Sequence, residues 1–192
     1  MAQPRILVLA GSVRPGSFNG LLADAAVQEI VSRGAAATRI DMANLAIPMY
    51  DAGIEAQGIP EAVLALHAQF SSHDGIFIAT PEYNSFPSPI LLNALDWLSR
   101  VRHYEGGMVE AFERPLFAIG AASPSPIGGY RALTALRQKL GLGLGAMVIP
   151  AMVTIAAAYQ AFDAAGALVS EADRGQLGKV VGQLLARLPT AG

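Results

Sequence analysis

One unit of this chain narrows its fold more than any other. The uncharged aliphatic run Ile6-Leu7-Val8-Leu9-Ala10 passes through Gly11 into the polar loop Ser12-Val13-Arg14-Pro15-Gly16-Ser17-Phe18-Asn19. A helical pattern follows over Gly20–Ser32, with Leu21, Leu22, Ala25, Ala26, Ile30 and Val31 as its apolar positions. An aliphatic run this short suits a central parallel strand buried on both faces. A loop from the end of such a strand to a helix N-terminus offers unpaired N–H groups and the positive end of the helix dipole to an anion. Ser12, Arg14, Ser17 and Asn19 add side-chain donors, so a phosphate is the natural guest, with an ordinary helix-capping turn as the alternative. The spacing Gly11-x-x-x-x-Gly16 mimics a triphosphate-binding loop, but Ser17 stands where that loop needs lysine. The dinucleotide pattern G-x-G-x-x-G is absent as well. A hydroxyl-rich loop with one guanidinium suits a terminal monophosphate, as on FMN.

The same alternation continues along the chain. Strands are expected at Ala36–Asp41 (polar, near an edge), Gly75–Thr80, Pro115–Ala121 and Ala146–Ile149. Helices are expected at Pro60–Ser71, Pro89–Arg102, Tyr130–Leu140 and Glu171–Leu188. A long connection, Met42–Gly58, should open over the carboxyl ends of the strands. Five parallel strands with crossover helices on both faces make an α/β three-layer sandwich. Ligands in such sheets sit outside the carboxyl ends of the strands. At 192 residues without a repeat or low-complexity linker, one domain spanning 1–192 is expected.

Composition excludes several classes. Zero cysteines remove disulfides, thiol catalysis and cysteine-held metal clusters. Thirteen basic against fifteen acidic residues, without blocks, leave no nucleic-acid footprint. His67, His73 and His103 show no ligand spacing and read as surface or helix-end residues, so no metal site is expected. Hydrophobic residues make up 53% and charged ones 15%, and the mean hydropathy is +0.41. Leu140–Phe162 is free of charge, but Gly141, Gly143, Gly145 and Pro150 break it, and no membrane-spanning helix is expected. The short N-terminal apolar run, soon followed by Arg14, is no secretion signal. A cytoplasmic protein is the default.

Two further loops fall on the same sheet edge. Thr80–Pro89, with Pro81, Glu82, Tyr83, Asn84 and Ser85, is either a rigid turn into the next helix or a strip for a planar heterocycle. Such a strip offers backbone polar groups for the ring's edge and Tyr83 for its face. Ala122–Gly129 is either a helix-entry turn or a second donor loop, with Ser123 donating and Gly128-Gly129 allowing close approach.

Taken together, GSVRPGSFN, IDMANLAIPMYD, TPEYNSFPSPILLNALDWLSR and GGYRALTALRQKL resemble, in order, the NADPH-dependent FMN reductase family of soluble quinone, azo and chromate reductases. Pro81-Glu82-Tyr83-Asn84 with Asn93-Ala94-x-Asp96-Trp97 is the most specific stretch. The resemblance implies a flavodoxin-like five-stranded parallel sheet of order 2-1-3-4-5, one non-covalent FMN, and hydride transfer from NADPH or NADH. It implies that Ser12, Arg14, Ser17, Phe18 and Asn19 form the phosphate loop. Pro81, Glu82, Tyr83, Asn84 and Ser85 would then contact the flavin ring, with Ser123 a further contact. Two departures stand out: Leu92 where relatives commonly carry lysine, and the stiffer Ser123-Pro124-Ser125-Pro126 where they commonly have glycine.

No catalytic side chain is expected, because the flavin would carry the redox chemistry. Small-molecule acceptors such as quinones, azo compounds, metal oxyanions or free flavin would share one open face with the nucleotide in a ping-pong cycle. The rivals are a flavodoxin-type electron carrier and an FMN-binding sensor or interaction module. Helix Pro89–Arg102 further suggests a homodimer or homotetramer. Ile90, Leu91, Ala94, Leu95, Trp97, Leu98 and Val101 span an apolar arc of roughly 160° at about 100° per residue, more than one sheet contact needs. The alternative is that Met42–Gly58 or the Val101–Glu113 segment covers the surplus within the chain.

Overall fold

The computed structural model describes residues 3–101 and 110–188. Strand β1 (Arg5–Ala10) is followed by α1 (Phe18–Ser32), β2 (Ala36–Ile40), a single 3-10 turn (Met42–Asn44), α2 (Ala52–Glu55) and α3 (Glu61–Ser72). Then come β3 (Gly75–Ala79), α4 (Pro89–Leu98), α5 (Glu110–Glu113), β4 (Leu116–Ala122) and α6 (Tyr130–Gln138). A π turn (Lys139–Gly143), β5 (Met147–Ile155), α7 (Ala158–Ala161) and α8 (Glu171–Leu185) complete the described chain. All four strand pairings are parallel and the order is β2-β1-β3-β4-β5, the flavodoxin-like arrangement. No helix among the described residues is long and apolar enough to cross a membrane.

Side-chain alternation along the strands builds two cores. Ile6, Val8, Phe77, Ala118 and Val153 face Leu22, Ala26 and Ile30 of α1 and Val181 and Leu184 of α8. Leu7, Leu9, Ile76, Ile78, Phe117 and Ile119 face Leu66, Phe70, Leu91, Leu95, Phe112, Leu133 and Leu136 on the other side. Each Val, Leu, Ile or Phe among them, fully buried, contributes about 1.5–3 kcal/mol. Because β1, β3 and β4 have partners on both sides and helices on both faces, the aliphatic runs read from sequence are the sheet's center. Polar β2 lies at its edge, as expected.

Two elements differ from the sequence reading. β5 runs to Ile155 rather than ending at Ile149, because Pro150 sits in a bulge. The register steps from Phe117↔Val148 to Ile119↔Met152, which absorbs the missing N–H. An edge strand tolerates that break, since its outer side carries no ladder. α4 ends at Leu98; Arg102, its expected end, and His103 lie outside the described residues. The oligomer argument built on α4 also changes. Trp97 and Leu95 are both 0% exposed within the chain. The Met42–Gly58 connection lies against α4 and covers it. Trp97 Nε1 and Asn93 Nδ2 each donate to the Pro48 carbonyl at 2.9 Å. The Tyr50 ring meets Trp97 edge-on at 5.0 Å. Ile47, Ile54, Ile59 and Val63 close the same cluster. The surplus apolar face is therefore covered by this connection, the alternative to a second copy.

Candidate functional site

The carboxyl ends of β1, β3 and β4 deliver three loops to one edge of the sheet, and the chain fastens them to one another. Ser88 Oγ donates to the Gly11 carbonyl at 2.5 Å, joining the loop after β3 to the end of β1. A Cβ at Gly11 would meet Ser88 Oγ at 2.8 Å and Leu91 Cβ at 2.9 Å, so glycine is needed for the approach of α4. Asn19 makes a two-way bond to Ala122: Nδ2 donates to its carbonyl and Oδ1 accepts from its N–H, both at 2.9 Å. The expected close approach at Gly128-Gly129 is made by the protein itself. Both have positive φ (59° and 84°), and a Cβ on either would collide with the Thr154–Ala156 backbone or with Ala121.

The first loop turns through Gly16 (φ 64°) and closes on Ser17, whose Oγ accepts from Gly20 N–H at 3.0 Å as the N-cap of α1. Phe18 and Asn19 are the first helical residues, so the helix itself cannot pair their N–H groups. The Arg14 guanidinium lies 5.7 Å from the center of the Phe18 ring. The second loop is a two-residue hairpin: Tyr83 and Phe86 exchange both backbone hydrogen bonds (2.9 and 3.0 Å). Asn84 (φ 51°) and Ser85 (φ 71°) form its corner, as a tight turn of this hand requires. Glu82 points the other way. Its Oε2 accepts from the N–H groups of Arg131 and Ala132 at the start of α6, and its Oε1 takes Arg131 Nε at 2.8 Å and Nη2 at 2.5 Å. In the third loop, Ser123 Oγ accepts from Ser125 N–H at 3.2 Å and keeps its own proton to donate.

These loops enclose a cleft of about 200 Å³. Nine residues proposed from sequence line it: Ser12, Arg14, Ser17, Phe18, Asn19, Pro81, Glu82, Tyr83 and Ser123. Asn84 and Ser85 do not; they are the hairpin corner. Ala122, Pro124 and Tyr159 line it too, beyond the residues the sequence points to. A strand ending at Ile149, before Pro150, leaves Tyr159 remote from any carboxyl end. A strand carried on to Ile155 puts Tyr159 just past a fourth carboxyl end.

Comparison with known proteins agrees with this geometry. The sequence model of the NADPH-dependent FMN reductase family matches residues 4–160. The chain belongs to this family. It is 35% identical over 172 residues to an NAD(P)H-dependent FMN reductase of Pseudomonas aeruginosa, covering 88% of this chain and 87% of that one. A quinone reductase of Escherichia coli is 36% identical over 152 residues, covering 76% and 73%. Among solved structures, the NAD(P)H:acceptor oxidoreductase FerB of Paracoccus denitrificans superposes with a TM-score of 0.74 at 24% identity, over 97% of this chain and 100% of that one.

The cleft of this FMN reductase family member suits a phosphate in its chemistry. Three serine hydroxyls, a guanidinium and the first-turn N–H groups of α1 converge there. The carboxylate in the lining, Glu82, is paired with Arg131 and with the N–H groups at the α6 N-terminus, which offsets its charge toward an anion. Two of the expected ligands act differently from the simplest reading. The Asn19 carboxamide is committed to Ala122, leaving its backbone N–H for a guest. The Glu82 side chain is committed to α6, leaving its backbone.

Proposed function

We propose that this chain is an NAD(P)H-dependent oxidoreductase that holds one FMN without a covalent bond in the cleft at the strand ends. It would reduce a small acceptor of the quinone, azo, metal-oxyanion or flavin type. The observation that carries this reading is a cleft where Arg14, Ser12 and Ser17 meet the α1 N-terminus while Glu82 is neutralised by Arg131. Bound FMN would supply the hydride and electron-transfer chemistry. The chain's own residues would bind and orient it. Arg14, Ser12, Ser17 and the N–H groups of Phe18 and Asn19 would hold the phosphate. Ser123 would donate from the third loop. The backbone of Pro81–Tyr83, held by the Asn84–Ser85 corner, would meet the ring's polar edge, and Tyr83, 52% exposed, would supply a wall for its face. N–H groups and the dipole of α1 favour negative charge here without an acid–base side chain. One open face for donor and acceptor gives ping-pong kinetics. Assembly as a homodimer or homotetramer is a further part of the proposal. It is supported by the mean hydropathy of +0.41 and by the exposed Met49, Leu142 and Met147; sedimentation at the mass of one chain would refute it.

The test is to mix the purified yellow protein with NADPH, and separately with NADH, in the absence of oxygen. Fast loss of the oxidised-flavin absorbance, followed by parallel double-reciprocal lines with a quinone acceptor, is expected. Slow or absent bleaching would favour a flavodoxin-type carrier or a flavin-binding sensor, and intersecting lines would refute the shared face.

A further inference from the structure

The fourth carboxyl end, that of β5, brings a residue to the cleft for which the loops after β1, β3 and β4 give no reason. After Ile155 the chain turns through Ala157, a non-glycine residue held in the left-handed region at φ 46° and ψ 44°. That conformation is unfavourable for a residue with a Cβ and persists where its surroundings enforce it. The enforcing contacts run to the third loop. Ala158 N–H donates to the Ser123 carbonyl at 3.1 Å, and Ser123 N–H donates to the Ile155 carbonyl at 2.9 Å. The turn launches α7 so that Tyr159 lines the cleft. Its ring meets Phe18 edge-on at 5.1 Å and 87°. Phe162 stacks on Phe18 at 6.5 Å, and the Arg14 guanidinium lies over the same Phe18 ring at 5.7 Å. Tyr159 is nonetheless 78% exposed. A large ring is thus held, by a strained corner, beside the phosphate donors with most of its surface uncovered.

We propose that Tyr159 is a retention residue for the phosphate end of the bound nucleotide, resting on the FMN reading above. Its ring walls the side of the cleft that the first loop leaves open. It keeps water away from the pairing of Arg14 with the phosphate and gains cover from the ligand in return. Excluding water strengthens that pairing, since the same charges attract several-fold more strongly near a protein surface than in bulk water. The ring performs this task and the hydroxyl does not. The effect is confined to ligands that carry the phosphate.

The experiment measures dissociation constants of FMN and of riboflavin, by flavin fluorescence, for flavin-free wild-type protein, Tyr159→Ala and Tyr159→Phe. Riboflavin keeps the ring system and ribityl chain but lacks the phosphate. Tyr159→Ala should weaken FMN about tenfold, a step of RT ln 10. It should leave riboflavin unchanged and make FMN binding more sensitive to salt, as expected of a charge pair opened to solvent. Tyr159→Phe should match wild type throughout. FMN binding unchanged in Tyr159→Ala overturns the proposal, as does equal weakening of FMN and riboflavin. A loss in Tyr159→Phe equal to that in Tyr159→Ala would assign the effect to the hydroxyl and overturn it too. Wild-type protein that does not bind FMN would overturn the functional reading and this inference with it. Tight wild-type binding with no change in the variants would sink the inference alone. Because the side chain is largely exposed, both variants should fold, and their melting temperatures check that.

Discussion

Asn19→Ala separates a fastener from a ligand. β3 pairs with β4 only as far as Ala79↔Gly120, with one more bond from Thr80 N–H to the Gly120 carbonyl at 2.9 Å. Beyond it β3 departs into the hairpin loop, and the N–H and C=O of Ala122 have no strand to meet. The Asn19 carboxamide takes the strand's place, with donor and acceptor in the order a peptide group would present. Ala122 is 3% exposed and Asn19 itself 3%. Removing the carboxamide leaves two buried backbone groups unpaired, at about 1–3 kcal/mol each, so a loss of about 2–6 kcal/mol is expected. For a chain of this size that lowers the melting temperature by roughly 4–24 °C. Asn19→Asp should not rescue it, because its second oxygen would face the Ala122 carbonyl. The assay is thermal unfolding of protein stripped of flavin, since bound ligand would add its own stabilisation. An unchanged melting temperature without flavin, together with weakened FMN binding, would refute the fastener and make Asn19 a phosphate ligand.

Arg14→Ala should weaken FMN by about 1.5–3 kcal/mol, the range for a hydrogen bond to a charged group, while leaving flavin-free stability within about 0.5 kcal/mol, as for an ordinary surface site. Retention of FMN at wild-type affinity would remove Arg14 from the phosphate loop. His73 predicts a pH dependence. It caps α3 and is 1% exposed, with Nδ1–H donating to the Gln69 carbonyl at 2.6 Å and Nε2 accepting from Thr38 Oγ1 at 2.9 Å. Burial holds its pKa below the usual histidine value, with the Gln69 carbonyl and Asp74 opposing and Arg5 assisting. The unfolded chain therefore takes up the proton first. Stability should fall as pH drops below about 6.5 and level off once the folded-state pKa is passed. Urea midpoints for wild type and His73→Gln should diverge above that pH and converge below it; curves that stay parallel would refute the assignment.

How far the sequence reveals this protein depends on which physical signal each part carries. Ile6–Ala10, Gly75–Ala79 and Leu116–Ala122 are legible because strands buried on both faces leave no room for polar residues. Polar β2 is legible as an edge for the converse reason. β5 is not: Pro150 ordinarily ends a strand, and only the three-dimensional fact that its outer side carries no ladder lets the strand continue. The cover on Trp97 is hidden for a related reason. Met42–Gly58 lacks periodicity, and its polar attachments to α4 use main-chain groups, the Pro48 carbonyl and the Tyr50 N–H, which no side-chain pattern announces. In the cleft, nine of the proposed residues do line the cavity, because the loops carrying them must follow the strand ends. What the sequence hides is which way each polar side chain is turned.

That direction has a consistent physical logic. Ser88 reaches Gly11, Asn19 reaches Ala122, Glu82 reaches Arg131, Asn93 reaches Pro48, and Asp96 accepts from Lys139 Nζ at 2.6 Å. The polar side chains of the most recognisable stretches thus join one loop or helix to the next. A loop held by buried, fully paired polar groups keeps its backbone N–H groups fixed without a ligand present, which is the condition for electrostatic preorganisation. A guest then meets donors that need little reordering, and less of the binding free energy is lost to it. Tyr83 lines the cleft, more than half exposed, and its side chain takes no part in these fastenings. Substitutions among the fastening residues should therefore register first as lost stability, and, on the proposed function, substitution of Tyr83 as altered choice of acceptor.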